Sequence, residues 1–145
     1  MWREAAVRTF SEAEFREPVG TAAPAIAERR LGCRLPAELV GLLRETDGIV
    51  GPCGVDTVWP LERIVEDNLR FRSDGVLAGL YEPFEALLFF GDNGGGDQFA
   101  FAGPPFRPDV LVWRHEDDSR RPVARDLRDY LARALADDGG DDWYA

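Results

Sequence analysis

Residues 86–102 read ALLFFGDNGGGDQFAFA, and this stretch decides the fold. Residues 86–90 form an unbroken apolar run, which suits a strand buried on both faces. Gly91-Asp92 bounds the run, and Asn93-Gly94-Gly95-Gly96-Asp97 is a turn cluster. Residues 98–102 then resume with Phe99 and Phe101 in alternation. Two strands around a glycine-rich connection predict a hairpin. Downstream, residues 104–108 (PPFRP) make a stiff loop. Residues 109–115 form the clearest strand, with Val110 and Val112 on one side and Leu111 and Trp113 on the other. Glu116-Asp117-Asp118-Ser119 makes the next turn, and residues 122–124 are short and extended.

Upstream of the hairpin the period is helical. Pro24 suits a first helical turn, and Gly32 suits the left-handed stop after Leu31. Leu35-Pro36 opens a second helix whose Leu35, Leu39, Leu42 and Leu43 fall on one stripe. Glu38 lies early in it and Arg44 late, as the helix dipole favours, and Asp47-Gly48 ends it. Residues 49–59 read as a loop leading into a short strand around 55–59. Pro60 starts a third helix with Leu61, Ile64, Val65 and Asn68 on one face, broken by Asp74-Gly75. The first twenty residues hold short helical patches at 5–7 and 10–15, which either pack on the domain or stay mobile. A last helix over 125–136 repeats the stripe with Leu127, Leu131, Ala134 and Leu135. Helices, then strands, then a closing helix predict a single α+β domain. Its sheet is expected to be mostly antiparallel, of about four to six strands, with helices packed against it. The expected boundaries are an N-terminal extension over 1–20, the α+β domain over 21–136 and an acidic tail over 137–145.

At 145 residues, with 45% hydrophobic and 30% charged residues, the chain has the size and composition of one globular domain. No apolar run reaches the roughly 18–20 residues of a membrane span. Arg3, Glu4, Arg8, Glu12 and Glu14 interrupt what would be the apolar core of a signal peptide, so a cytoplasmic protein is expected. Cys33 and Cys53 are too few for a disulfide scaffold or a zinc cluster. All 17 basic residues are arginine, against 27 acidic residues, for a net charge of −10. Such a surface repels nucleic acid phosphates and anionic membranes, so neither is an expected partner. It attracts a basic protein, such as the phosphate-binding face of a nuclease. Net charge also simply keeps proteins soluble, and charge alone does not choose between the two.

The chemistry-bearing residues are sparse. Three consecutive glycines at 94–96 could form an anion-binding nest. No Gly-Lys-Ser/Thr follows, however, and Asp92 and Asp97 would repel phosphate. Counted from Asp92, the position where a calcium loop needs its bidentate Glu is Gly103, so that match fails too. Positive φ in a tight connection explains the glycines better. His115, the only histidine, is all a hydrolase could be built on; beside Glu116 at a strand end it reads as a surface hydrogen-bonder. Cys33 reads as an idle thiol, and Trp59 and Trp113 as core. No catalytic residues, cofactor or metal are expected. Tyr81-Glu82 and Trp143-Tyr144 set aromatics among acids in irregular sequence, as interface hot spots do. The candidate partner-binding residues are Tyr81, Glu82, Asp92, Asp97, Glu116, Asp117 and Asp118.

Taken in order, several motifs resemble the SUKH superfamily, first described in fungal cell-wall synthesis regulators and widespread in bacteria. They are Glu28, Leu31-Gly32, Leu35-Pro36, Leu42-Leu43 and Asp47-Gly48, then Pro60-Leu61-Glu62-Arg63-Ile64 through Asn68. Phe90-Gly91-Asp92 and Gly95-Gly96-Asp97 follow, then Val112-Trp113-Arg114-His115-Glu116, and last Asp126-Leu127 with Tyr130-Leu131. The resemblance covers residues 24–135 and departs from the family pattern at Asp47-Gly48-Ile49, where the family favours Asn-Gly-Gly. It implies that the 21–136 domain is SUKH-like and has no enzyme activity. It also implies that a bacterial member is an immunity protein that binds and neutralises a polymorphic toxin, often a nuclease. The alternative it carries is a regulatory or scaffold module that binds an endogenous protein. The chain is expected to be a monomer or weak homodimer.

Overall fold

The computed structural model describes residues 1–137 and 142–145. The acidic tail read from the sequence therefore lies partly outside the described residues.

The stripe that begins at Leu35 builds the helical layer. Helix α1 (Trp2–Thr9) is followed by strand β1 (Glu14–Phe15), then α2 (Ala23–Leu31) and α3 (Ala37–Leu43). Helix α2 carries Pro24 in its first turn and stops at Gly32, whose φ of 77° is the left-handed cap expected there. Leu35, Leu39, Leu42 and Leu43 are all buried. The first twenty residues pack on the domain: Trp2 and Ala6 are buried, and the Arg128 guanidinium lies over the Trp2 ring, 5.4 Å from its centroid. The patch at 10–15 is not helical. Glu14 and Phe15 pair antiparallel with Val50 and Ile49, because a partner distant in sequence satisfies their backbone better than an isolated turn of helix could.

Strands β2 (Ile49–Val50) and β3 (Asp56–Val58) complete a three-stranded antiparallel sheet in the order β1-β2-β3. Helix α4 (Leu61–Ser73) buries Leu61, Ile64, Val65 and Asn68, the face its period predicts. Asp74 does end α4, but it also opens a helix not expected from the sequence, α5 (Gly75–Leu80), accepting hydrogen bonds from the Val76 and Leu77 amides.

The second sheet is an antiparallel meander of β4 (Leu87–Asp92), β5 (Gln98–Ala102), β6 (Val110–Arg114) and β7 (Ser119–Ala124), closed by α6 (Leu127–Ala136). Strand β7 begins three residues before the predicted segment, since Arg120 and Arg121 pair with Trp113 and Val112. The protein is thus α+β, with six helices among the described residues, a four-stranded and a three-stranded antiparallel sheet.

Both faces of the larger sheet are covered. On one, Phe89 and Trp113 pack with Phe71, Phe84 and Tyr81 in edge-on and tilted contacts. On the other, Phe90 stacks on Phe101 and meets Tyr130 of α6 edge-on. The open edge of β4 is closed by side chain and loop. Asn68 donates to the Phe89 carbonyl and accepts from the Phe89 amide, both at 2.8 Å, while the Trp59 amide donates to the Phe90 carbonyl at 2.7 Å. Gly91 lies where the two sheets meet. A Cβ there would overlap the Thr57 carbonyl oxygen, which accepts the Tyr130 hydroxyl at 2.6 Å.

Candidate functional site

The acidic turns lie at the same end of the larger sheet, where the β4–β5 and β6–β7 connections meet. Asp118 has a φ of 61°, a left-handed conformation that a short polar side chain tolerates. Its carboxylate accepts the Trp113 indole N–H at 2.8 Å, the Glu82 amide at 2.9 Å and Arg120 Nη2 at 2.9 Å. Burial alone would raise its pKa, but these donors outweigh it and hold the group below the usual carboxylate range. Arg120 also donates to the Glu82 and Pro83 carbonyls, and the Tyr81 hydroxyl to the His115 carbonyl at 3.0 Å. The segment after α5 is therefore bound to the β6–β7 turn. Within that turn Asp117 accepts the Ser119 amide, and hydrogen bonding to Ser119 lowers its pKa.

Asp97 is only 5% exposed. Its Oδ1 accepts the Nδ1 of His115 at 2.8 Å, and its Oδ2 accepts the Tyr144 hydroxyl at 2.8 Å. Burial would raise its pKa, yet the Tyr144 and His115 bonds bring it below the ordinary value. Asn93 donates to the Tyr144 oxygen at 2.7 Å and accepts from the Asp97 amide. The glycine turn fits round this network: Gly94 and Gly96 have positive φ, as expected, and the His115 ring lies over Gly96 within 2.8 Å of where a Cβ would stand. A carboxylate–imidazole pair is half of a proton-transfer apparatus. Here the second carboxylate oxygen is taken by Tyr144, so the pair ties the hairpin to the C-terminal segment. Trp143 stacks on Phe99, and Tyr144 is buried, so this aromatic pair serves packing and not an open contact surface.

Asp92 is engaged as well. It accepts the Trp59 indole N–H at 2.8 Å and the Gly94 amide at 3.0 Å, and lies 3.7 Å from Arg63. Trp59 and Trp113 are core residues, as their context predicts.

The candidates thus separate by exposure. Asp92, Asp97 and Asp118 spend their oxygens inside the fold, and Tyr81 is half-buried against Trp113 and Phe84. Glu82, Glu116 and Asp117 are exposed around a turn that the other residues hold fixed. Sequence reading missed the apolar neighbours of this acidic end. Val76 and Leu80 of α5 are 73% and 67% exposed. The signal that could have found them is the i, i+4 apolar pair between the capping Asp74 and Pro83.

A groove of about 430 Å³ runs between α2 and α4, floored by Ala27 and Val65. The Arg30–Glu62 ion pair at 3.3 Å and Asp47, which accepts the Leu61 amide, stand at its margin. Among the described residues no group of three or more His, Cys, Asp or Glu side chains is placed to hold a metal ion. No helix among them is long and apolar enough to cross a membrane.

The profile of the SMI1/KNR4 family (SUKH-1) matches residues 18–133. The chain belongs to the SMI1/KNR4 (SUKH-1) family. Among curated proteins none matches it. SUKH-1 proteins are commonly immunity proteins against polymorphic toxins, and SUKH domains are generally non-catalytic immunity or regulatory domains. The SUKH-1 match contains α5 and both acidic turns. It leaves outside α1, which packs on α6, and the Trp143-Tyr144 pair, which packs on β5.

Proposed function

We propose that this SUKH-1 protein is an immunity protein that binds and neutralises a cognate polymorphic toxin, and that the toxin presents a basic, nuclease-type surface. The observation that carries the proposal is the set of exposed carboxylates Glu116 and Asp117 on the β6–β7 turn and Glu82 on the segment that Asp118 and Arg120 bind to it, in a chain of net charge −10. A charged surface that does not rearrange steers a complementary partner efficiently, and steering of this kind raises association rates by roughly 10–10³. Family membership supports the same reading.

The test is co-expression with the toxin domain encoded next to this chain. Survival of cells that the toxin domain alone kills is the expected result. Killing undiminished by the chain overturns the proposal. With the purified pair, reversing Glu82, Glu116 and Asp117 to arginine slows association and flattens its salt dependence. An unchanged association rate removes this surface from the interface.

A further inference from the structure

We infer that α5 is the apolar anchor of the partner interface, with Val76 and Leu80 seated in an apolar pocket ringed by basic groups on the partner. This rests on the immunity reading and deepens it, because it names the feature of the partner that the chain recognises.

Exposure is the first observation. Val76 at 73% and Leu80 at 67% stand side by side, one helical turn apart, and α5 buries none of its residues fully. Leu77 on the other side packs against the core, so the helix is seated with this ridge outward. Folding therefore leaves two large apolar side chains in water on one short helix, a cost that binding recovers.

The surroundings select the occupant. Asp74 caps one end of the ridge, and Glu82 follows the other end by two residues. The Glu82 amide bond to Asp118 and the Tyr81 bond to the His115 carbonyl bring Glu116 and Asp117 to that same end. Of the nearby cations, Arg120 is committed to Asp118 and two carbonyls, Arg72 donates to the Leu87 carbonyl, Arg70 lies 3.8 Å from Asp67, and Arg114 lies over the Tyr144 ring, close enough to Asp117 to lower its pKa. An apolar ridge with carboxylates at both ends suits a basic partner and disfavours a second copy of this chain, whose acids would face these.

Two side chains at the centre of an interface of standard size are enough to dominate its energy. The experiment uses the toxin domain against which this chain protects cells. Purified chain and Val76→Ser/Leu80→Ser are titrated against it, with the far-UV melting curve of each recorded. The expected result is an affinity at least about 30-fold weaker in the double variant, a hot-spot-sized loss, with the melting curve unchanged. Leu80→Arg, which sets a like charge against a basic pocket, is expected to weaken binding further and to abolish protection. Affinity and protection unchanged in both variants overturn the α5 anchor and leave the immunity proposal standing. Failure of the unsubstituted chain to protect against the neighbouring toxin domain overturns both.

Discussion

Replacing Asp118 with alanine unpins the acidic turn, and the structure sets the size of the effect. The carboxylate serves the Trp113 indole, the Glu82 amide and the Arg120 guanidinium. Trp113 is 4% exposed, so its indole N–H would be left without an acceptor, at a cost of about 1–3 kcal/mol. Losing the half-buried pairing with Arg120 adds about 1 kcal/mol after discounting for solvent. Alanine held at a φ near 61° adds roughly another 1–2 kcal/mol that aspartate partly avoids. The sum is about 3–6 kcal/mol, or roughly 10–20 °C in melting temperature for a domain of this size. Urea denaturation followed by circular dichroism and tryptophan fluorescence measures it. Asp118→Gly separates the causes: it relieves the backbone strain and keeps the loss of hydrogen bonds, so it should recover only the last component. Asp118→Asn, which tolerates the left-handed conformation and keeps one acceptor oxygen, should cost about 1 kcal/mol. A destabilisation below about 0.5 kcal/mol in Asp118→Ala would refute the role of this carboxylate as the clamp.

Other perturbations test the remaining contacts. Asn68→Leu strips the Phe89 amide and carbonyl of their partners and should cost about 2–4 kcal/mol in urea melts, far more than the change in volume would. Gly91→Ala drives a methyl into the Thr57 carbonyl and should destabilise by about 1–3 kcal/mol in the same assay. Tyr144→Phe removes the hydroxyl between Asp97 and Asn93 and should cost about 1–2 kcal/mol, with His115→Ala less than additive with it because both act on Asp97. Asp97, Asp118 and Asp129 all have folded pKa values below their ordinary ones. Their stabilisation is therefore complete above about pH 5, begins to fall as the unfolded aspartates protonate near pH 4, and is lost as pH falls through the lowered folded values. The melting temperature should be flat from neutral pH to about 5 and fall steeply below about 4, and Asp97→Asn should shrink that fall.

The helical stripes and the hairpin were legible because their information is local. Leu35, Leu39, Leu42 and Leu43 are buried together as their spacing predicts, and Phe99 and Phe101 alternate onto one face beneath α6. The acidic turns were legible too, down to the positive φ of Gly94 and Gly96. The direction in which each carboxylate points was not. Asp97 meets Tyr144 across 47 residues, Asp92 meets Trp59 across 33, and no local pattern encodes such pairings. Strand β1 was missed for the same reason, since two residues become a strand only by pairing with Ile49 and Val50.

By itself the sequence determined the class of fold, the order of its longer helices and of the strands of the larger sheet, and the net charge, because periodicity, turn residues and composition act within a few positions along the chain. Tertiary structure decided which acids remain available to another molecule. It turned Asp92, Asp97 and Asp118 inward to buried donors and left Glu82, Glu116 and Asp117 in water beside the bare ridge of α5. The physical reason is that a buried indole, imidazole or amide must find an acceptor, and only the folded chain brings acceptor and donor together.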